Sequence, residues 1–225
     1  MQLPFADRSA AGRELAHKLR EIEPMPDSIV LGLARGGVPV AFEVAADLHL
    51  ELDVFVVRKL GVPGHPELAM GAIASGGVRV LNEDLIHDLG IPQGAIEQVA
   101  TRESEELRRR EADYRDGRPP ADLQDCSVIL VDDGLATGAS MRSAVEAVRK
   151  LGATPVTVAV PVAAKEACGE FAHLVDAVVC AATPEPFFAV GPWYRDFSAT
   201  SDREVRALLA RAREEQFAPV LRDRR

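Results

Sequence analysis

Residues Cys126 to Arg149 read C-S-V-I-L-V-D-D-G-L-A-T-G-A-S-M-R-S-A-V-E-A-V-R, and this stretch decides the fold. Val128 to Val131 is a short continuous apolar run, the pattern of a strand buried on both faces. Asp132 and Asp133 end it. Gly134-Leu135-Ala136-Thr137-Gly138-Ala139-Ser140 then leads into a helix, with Met141, Ala144, Val145, Val148 and Leu151 at three-four spacing. A strand, a loop of small residues and a helix N-terminus form a phosphate cradle. First-turn N–H groups have no acceptor inside the helix, and the helix dipole favours an anion there. Thr137 and Ser140 add hydroxyl donors. Gly134 and Gly138 let backbone approach a ligand closely.

The paired aspartates narrow the ligand. Two carboxylates at the C-terminal end of a parallel strand, one turn from a phosphate site, can accept hydrogen bonds from neighbouring sugar hydroxyls. They can also help to hold a hydrated Mg2+. A phosphate with a vicinal diol nearby is a 5-phosphoribosyl group. V-I-L-V-D-D-G-L-A-T-G-A-S, thirteen contiguous residues, closely resembles the phosphoribosyl-pyrophosphate (PRPP) motif of type I phosphoribosyltransferases. No Lys follows Gly138, so it is not a Walker A loop.

The whole chain sets further bounds. Its 225 residues, nearly half of them apolar, suit one α/β domain. No apolar stretch approaches the ~20 residues that span a bilayer, and the segment from Met1 to Arg8 lacks a signal-peptide pattern. Cys126, Cys168 and Cys180 are widely spaced without C-x-x-C, and read as buried, reduced thiols of a cytoplasmic protein. A net charge of −9 argues against general nucleic-acid binding. Any polyanion site must therefore be positive locally.

A second strand–loop–helix unit precedes the first. Ser28 to Leu33 is an apolar strand, Ala34-Arg35-Gly36-Gly37-Val38-Pro39 is the loop, and Val40, Ala41, Val44, Ala45 and Leu48 mark a helix. Gly36-Gly37 permits unusual backbone angles, and the Arg35 guanidinium suits phosphate oxygens. The family's equivalent loop binds pyrophosphate, and A-R-G-G-V-P-V-A is similar to that of its purine-salvage members. Leu52 to Val57 is a strand ending in Arg58-Lys59. Leu60 to Leu68, rich in Gly and Pro, reads as an irregular loop. It falls where the resemblance implies a lid closing over PRPP, with Arg58 and Lys59 as pyrophosphate ligands at its base. A basic pair capping a strand in solvent is the alternative.

Ala69–Ala74 and Val78–Leu81 flank Ser75-Gly76-Gly77 as a hairpin. Asn82–Leu89 is a short helix and Gln93 to about Arg115 a long, charged one with a solvated face. Residues 116–125 form a linker. Strands at Pro155–Val160 and Ala177–Cys180 bracket a helix at Ala163–Phe171, and Ser201 or Asp202 caps a last helix. Strand–helix alternation from residue 28 to 180 implies a doubly wound, mostly parallel sheet with ligand loops at its C-terminal edge. Residues 183–213 form a small hood segment, and the tail 214–225 is expected to be mobile. Five of the eleven aromatics lie between Thr183 and Thr200. Phe188, Trp193 and Tyr194 are candidates for stacking on a flat acceptor; covering a sheet edge or a dimer seam is the alternative.

The resemblance implies a Mg2+-dependent transfer of the phosphoribosyl group to a nitrogenous small molecule, with pyrophosphate released through an oxocarbenium-like state. Arg35, Arg58, Lys59, Asp132 and Asp133 would be catalytic. Ala34 to Gly37 and Asp132 to Ser140 would bind PRPP, and Asp132 and Asp133 would reach the metal through water. Ala136 stands where hypoxanthine- and guanine-type members carry an acidic residue, which disfavours those acceptors. Nucleic acid and membrane are not expected as partners, and a homodimer is left open. A regulatory protein sensing PRPP or a nucleotide on the same fold is the alternative function. A hydrolase lacks support, since no nucleophile elbow or metal-ligand cluster is present.

Overall fold

The strand–loop–helix units assemble around five parallel strands. The computed structural model describes residues 3–222. In chain order the elements are α1 (Arg8–Arg20), β1 (Ile29–Leu33), α2 (Gly37–Leu48), β2 (Glu51–Phe55), β3 (Val57–Val62), β4 (His65–Ala74), β5 (Val78–Leu81), α3 (Glu83–Asp88), α4 (Gln93–Arg115), β6 (Val128–Val131), α5 (Ala139–Lys150), β7 (Val156–Val162), α6 (Lys165–Phe171), β8 (Ala177–Ala182) and α7 (Asp202–Arg222). The main sheet runs β2-β1-β6-β7-β8, all parallel, and a second, antiparallel sheet runs β3-β4-β5.

Alternating side chains of each buried strand feed two cores. Val30 of β1 and Ile129 and Val131 of β6 face Leu15, Leu19, Val44, Val205 and Leu209, so α1, α2 and α7 cover one side. Leu31, Leu33, Val128, Leu130 and Val158 face Met141, Val145, Val148 and Phe171 of α5 and α6 on the other. Continuous apolar runs rather than alternating ones are what a sheet covered on both faces requires. Asp7 caps α1, its side chain accepting from the Ala10 N–H, and Asn82 does the same for α3 through Leu85.

The structure corrects several expectations. The strand after α2 ends at Phe55, and Arg58 and Lys59 lie within β3. Residues 60–68 are not an irregular loop: β3 and β4 form a hairpin whose register runs from Val57↔Ala74 to Val62↔His65, with shifts at Gly61. Pro63-Gly64 makes the turn, with Gly64 at φ +82°, and the Gly- and Pro-rich composition reflects that turn and the irregularity beside it. Cys168 and Cys180 are joined in a disulfide, not reduced, because α6 packs back beside β8 and brings their Cα atoms to 6.8 Å; Cys126 is free. Helix α7 carries the tail on through Arg222, and residues 223–225 lie outside the described residues. Among the described residues, no helix is long and apolar enough to cross a membrane.

Candidate active site

The two glycine loops emerge side by side. β1 and β6 pair in parallel from Ile29↔Val128 to Gly32↔Val131, so their C-terminal ends open onto the same edge. In the order β2-β1-β6-β7 the crossover after β1 runs to β2 and the one after β6 runs the opposite way to β7, and the crevice at such a switch point is where α/β sheets bind ligands.

The loop after β1 is packed against the aspartate pair. An added Cβ on Gly36 would collide with Asp133 Oδ2, and one on Gly37 would stand 2.5 Å from the Val131 carbonyl oxygen and 2.9 Å from Asp132 Cα. Glycine is needed at both positions for close approach, since both have helical backbone angles open to any residue. The Ala34–Arg35 peptide is cis, and the Ala34 N–H donates to the Phe55 carbonyl. Arg35 itself is exposed and stands 3.8 Å from Asp202 at the start of α7. The same Asp202 oxygen accepts from Tyr114 Oη at 2.6 Å.

The loop after β6 is tied down from below and open above. Leu135 is buried, its N–H donating to the Val162 carbonyl and its own carbonyl accepting from Ala164. Gly138 has φ +70°, and its Cα rests so close to Phe171 that a Cβ would lie 2.5 Å from the ring. Ala136, Thr137, Ala139 and Ser140 are exposed. The first-turn N–H groups of α5, which lack acceptors inside the helix, belong to an exposed stretch that also carries the Thr137 and Ser140 hydroxyls, the combination an anion requires.

Asp132 Oδ1 accepts from the Asp133 N–H at 2.8 Å. Asp133 Oδ2 accepts from Arg8 Nε at 2.9 Å and Nη2 at 2.8 Å. Burial holds the Asp132 carboxyl well above the usual carboxylate range, and the neighbouring Asp133 charge adds to this. Burial also raises Asp133, with Arg8 opposing it. Two adjacent carboxylates thus stand beside one guanidinium that pairs with Asp133 alone, an arrangement suited to a partner that brings hydroxyl protons or positive charge.

The hood segment closes over this pair. Tyr194 donates its hydroxyl to the Asp133 carbonyl, and Val190 lies over Gly134. Phe5 and Tyr194 form a bridge, with the Phe5 N–H donating to Trp193 and the Arg195 N–H to Phe5. The chain's N-terminal segment and the hood are therefore one structure. Among the aromatic candidates, Tyr194 is buried between Phe5 and Phe197, Trp193 stacks on Phe187, and Phe188 is 88% exposed.

The sequence-predicted residues divide accordingly. Ala34 to Gly37 and Asp132 to Ser140 come together at the switch point. Arg58 is turned to α4, where Glu103 Oε2 accepts from Nε at 2.7 Å. Lys59 is exposed beside it on β3. The long helix is accordingly more than a solvated face: Glu103 holds Arg58, Tyr114 meets Asp202, and the buried Arg115 pairs with Asp53. Sequence reasoning missed Arg8, which lies 125 positions from Asp133 with no motif or spacing to mark it. A cavity of about 310 Å3 lies apart from both loops, lined by Asp53, Phe55, Arg115, Leu123 and Leu151 among others.

Among the described residues, no three carboxylates, histidines or cysteines cluster to hold a metal. Asp132 and Asp133 are hard oxygen donors of the kind Mg2+ takes, but too few to cage it. They fit an ion that arrives on substrate oxygens and keeps its waters.

Comparison with known proteins identifies the family. Residues 7–192 match the model of the phosphoribosyl transferase domain. Two curated proteins of Mycobacterium tuberculosis, from strains CDC 1551 and H37Rv, are provisionally named phosphoribosyl transferases. Each is 49% identical over 208 residues, covering 92% of this chain and 47% of the relative. The chain therefore spans about half the length of the curated relatives it matches. The crystal structure of TT1426 from Thermus thermophilus superposes with a TM-score of 0.80 at 44% identity, covering 92% of this chain and 98% of that one. With the site and these matches together, the chain belongs to the phosphoribosyl transferase domain family.

Proposed function

We propose that the protein transfers the 5-phosphoribosyl group of PRPP to a nitrogenous small molecule and releases pyrophosphate. The observation that carries this reading is the aspartate pair standing between two ligand loops, Gly36-Gly37 on one side and Leu135 to Ser140 on the other. The N–H groups at the start of α5, with Thr137 and Ser140, anchor the 5′-phosphate and so fix the sugar's orientation. Asp132 and Asp133 accept from the ribose hydroxyls and stabilise positive charge that develops on the ring. Arg35, with Lys59 and an Arg58 released from Glu103, stabilises the departing pyrophosphate. Mg2+ bound to the substrate supplies further neutralisation of pyrophosphate charge.

The C1′–O bond to pyrophosphate breaks with its electron pair leaving on oxygen, and the acceptor nitrogen forms the new bond to C1′. No covalent enzyme intermediate is required. We assign to the β3–β4 hairpin, which carries Arg58 and Lys59, the role of covering the reacting centre and excluding water. Phe188, exposed on the hood, is the aromatic face left to stack on a flat acceptor. The test is pyrophosphate release from PRPP and Mg2+ across a panel of bases and amines. Turnover with one acceptor names the substrate. Binding of PRPP with no turnover on any acceptor contradicts the transferase and moves the protein to a PRPP-sensing role.

A further inference from the structure

We propose that Arg8 is a positioning residue for the sugar: it fixes which oxygen of Asp133 is presented to a ribose hydroxyl. The proposal rests on the phosphoribosyl reading above and assigns a role to a residue outside both ligand loops.

Five observations converge on this arginine and its partner. Its Nε and Nη2 both lie on Asp133 Oδ2, at 2.9 and 2.8 Å. The same oxygen abuts Gly36, so closely that a Cβ there would overlap it and stand 3.5 Å from Arg8 Nε. Oδ2 is thus hemmed in by a guanidinium and the adjoining backbone of the other ligand loop, and Oδ1 is the oxygen left outside the fork. Arg8 is itself held in place. Its Nη1 donates to the Ser198 carbonyl at 2.7 Å, and its guanidinium lies over the Phe197 ring, 4.1 Å from the centroid. Its side chain is only 12% exposed, so this is not a surface ion pair whose partners exchange freely with water.

The consequence is chemical. A carboxylate free to rotate about its Cβ–Cγ bond must be ordered when a hydroxyl binds, whereas a clamped one is ordered beforehand. Asp132 is constrained in the same sense, since its Oδ1 accepts the Asp133 N–H and leaves Oδ2. The pair therefore offers one oxygen from each aspartate to two neighbouring hydroxyls. Arginine suits the task because two N–H groups on one oxygen define a direction, while a lysine supplies a single mobile charge.

The experiment is calorimetric titration with ribose 5-phosphate and, separately, with inorganic phosphate. Both use the phosphate loop, and only the first presents a diol. Four proteins are compared: wild type, Arg8→Met, Arg8→Lys and Phe5→Leu. The last loosens the seam between N-terminus and hood without touching the guanidinium–carboxylate pair. Wild type is expected to prefer ribose 5-phosphate. Arg8→Met should lower that preference on the order of tenfold while its phosphate affinity stays within about twofold. Arg8→Lys should fall between the two, and Phe5→Leu should lower the melting temperature yet keep the preference. Retained preference in Arg8→Met overturns the proposal. So does an equal loss of preference in Phe5→Leu, which would reduce Arg8 to a brace for the hood. If wild type itself shows no preference for the sugar phosphate, the phosphoribosyl reading fails first, and this inference falls with it.

Discussion

Replacing Gly37 by Ala tests whether the two ligand loops are as tightly joined as the structure shows. Gly37 opens α2 with helical backbone angles, so alanine meets no conformational obstacle; in an open helix it would gain up to ~1 kcal/mol over glycine. The obstacle is steric. The new Cβ would lie 2.5 Å from the Val131 carbonyl oxygen and 2.9 Å from Asp132 Cα, both backbone atoms of the motif. Neither can rotate aside, so the loops must separate by roughly 0.7 Å to restore ordinary contact. Overpacking of this kind costs about 1–3 kcal/mol, and more where backbone must move. Set against the helix gain, a net loss of roughly 1–2 kcal/mol is expected, read by urea denaturation. Loss of PRPP affinity should exceed the loss of stability, because Asp132 is the group displaced. Gly94 in α4 is the control: nothing lies within 4 Å of its would-be Cβ, so Gly94→Ala should be neutral or stabilising. A Gly37→Ala protein with wild-type stability and wild-type PRPP affinity would refute the close packing of the two loops.

Three other outcomes are expected. Asp132→Asn should raise the melting temperature at neutral pH while removing PRPP affinity, by roughly 1–3 kcal/mol. Because the folded Asp132 carboxyl is raised by burial, its contribution is full below the ordinary value of 3.8 and lost as pH climbs through the raised one. The variant's advantage should therefore vanish on acidification; a variant no more stable than wild type at pH 7 contradicts the burial argument. Tyr114, pushed up to about 12 by burial and by its hydrogen bond to Asp202, stabilises the fold below pH 10 and loses that contribution as pH rises toward 12. Tyr114→Phe should flatten this alkaline fall in denaturation midpoint, and an unchanged slope would show that the hydroxyl is not buried. Glu103→Gln should free Arg58 from α4 and tighten pyrophosphate binding a fewfold, by the loss of one charged partner. Weaker binding would mean that Glu103 serves to aim Arg58 rather than to withhold it.

The main sheet was legible because its strands are buried on both faces. Val128 to Val131 and Ile29 to Leu33 are short, uninterrupted and apolar, and each runs into a glycine loop and an amphipathic helix; local sequence carries all of that information. The ends of such units were legible for the same reason, as with Asn82 and Asp7, whose side chains cap α3 and α1. The β3–β4 hairpin was hidden by its own turn chemistry. Gly61, Pro63, Gly64 and Pro66 look like breakers in a linear reading, yet the first three fit a register shift and a two-residue tip. The Cys168–Cys180 link depends on how α6 folds back on β8, which no spacing rule conveys.

The site shows the same division. The structure brings the two contiguous motifs together, while the side chains that reach them through space carry no motif of their own. Arg8 arrives unmarked from the first turn of α1, and Tyr194, a stacking candidate in the sequence, instead supports the Asp133 carbonyl with its hydroxyl. The partner of Arg58 was not legible, since Glu103 sits 45 positions away on a helix whose dense charges read as solvated. Long-range side-chain pairing is set by packing, and packing is what a linear pattern leaves open.

The central claim is that the Asp132–Ser140 loop and its aspartate pair bind the phosphoribosyl group of PRPP. The direct measurement is calorimetric titration of PRPP with Mg2+ into wild type and into the Asp132→Asn, Asp133→Asn double variant, with circular dichroism to verify the fold of each. Saturable binding by wild type, abolished in a folded double variant, is the predicted result. Equal binding by both proteins, or none by wild type, would contradict the account.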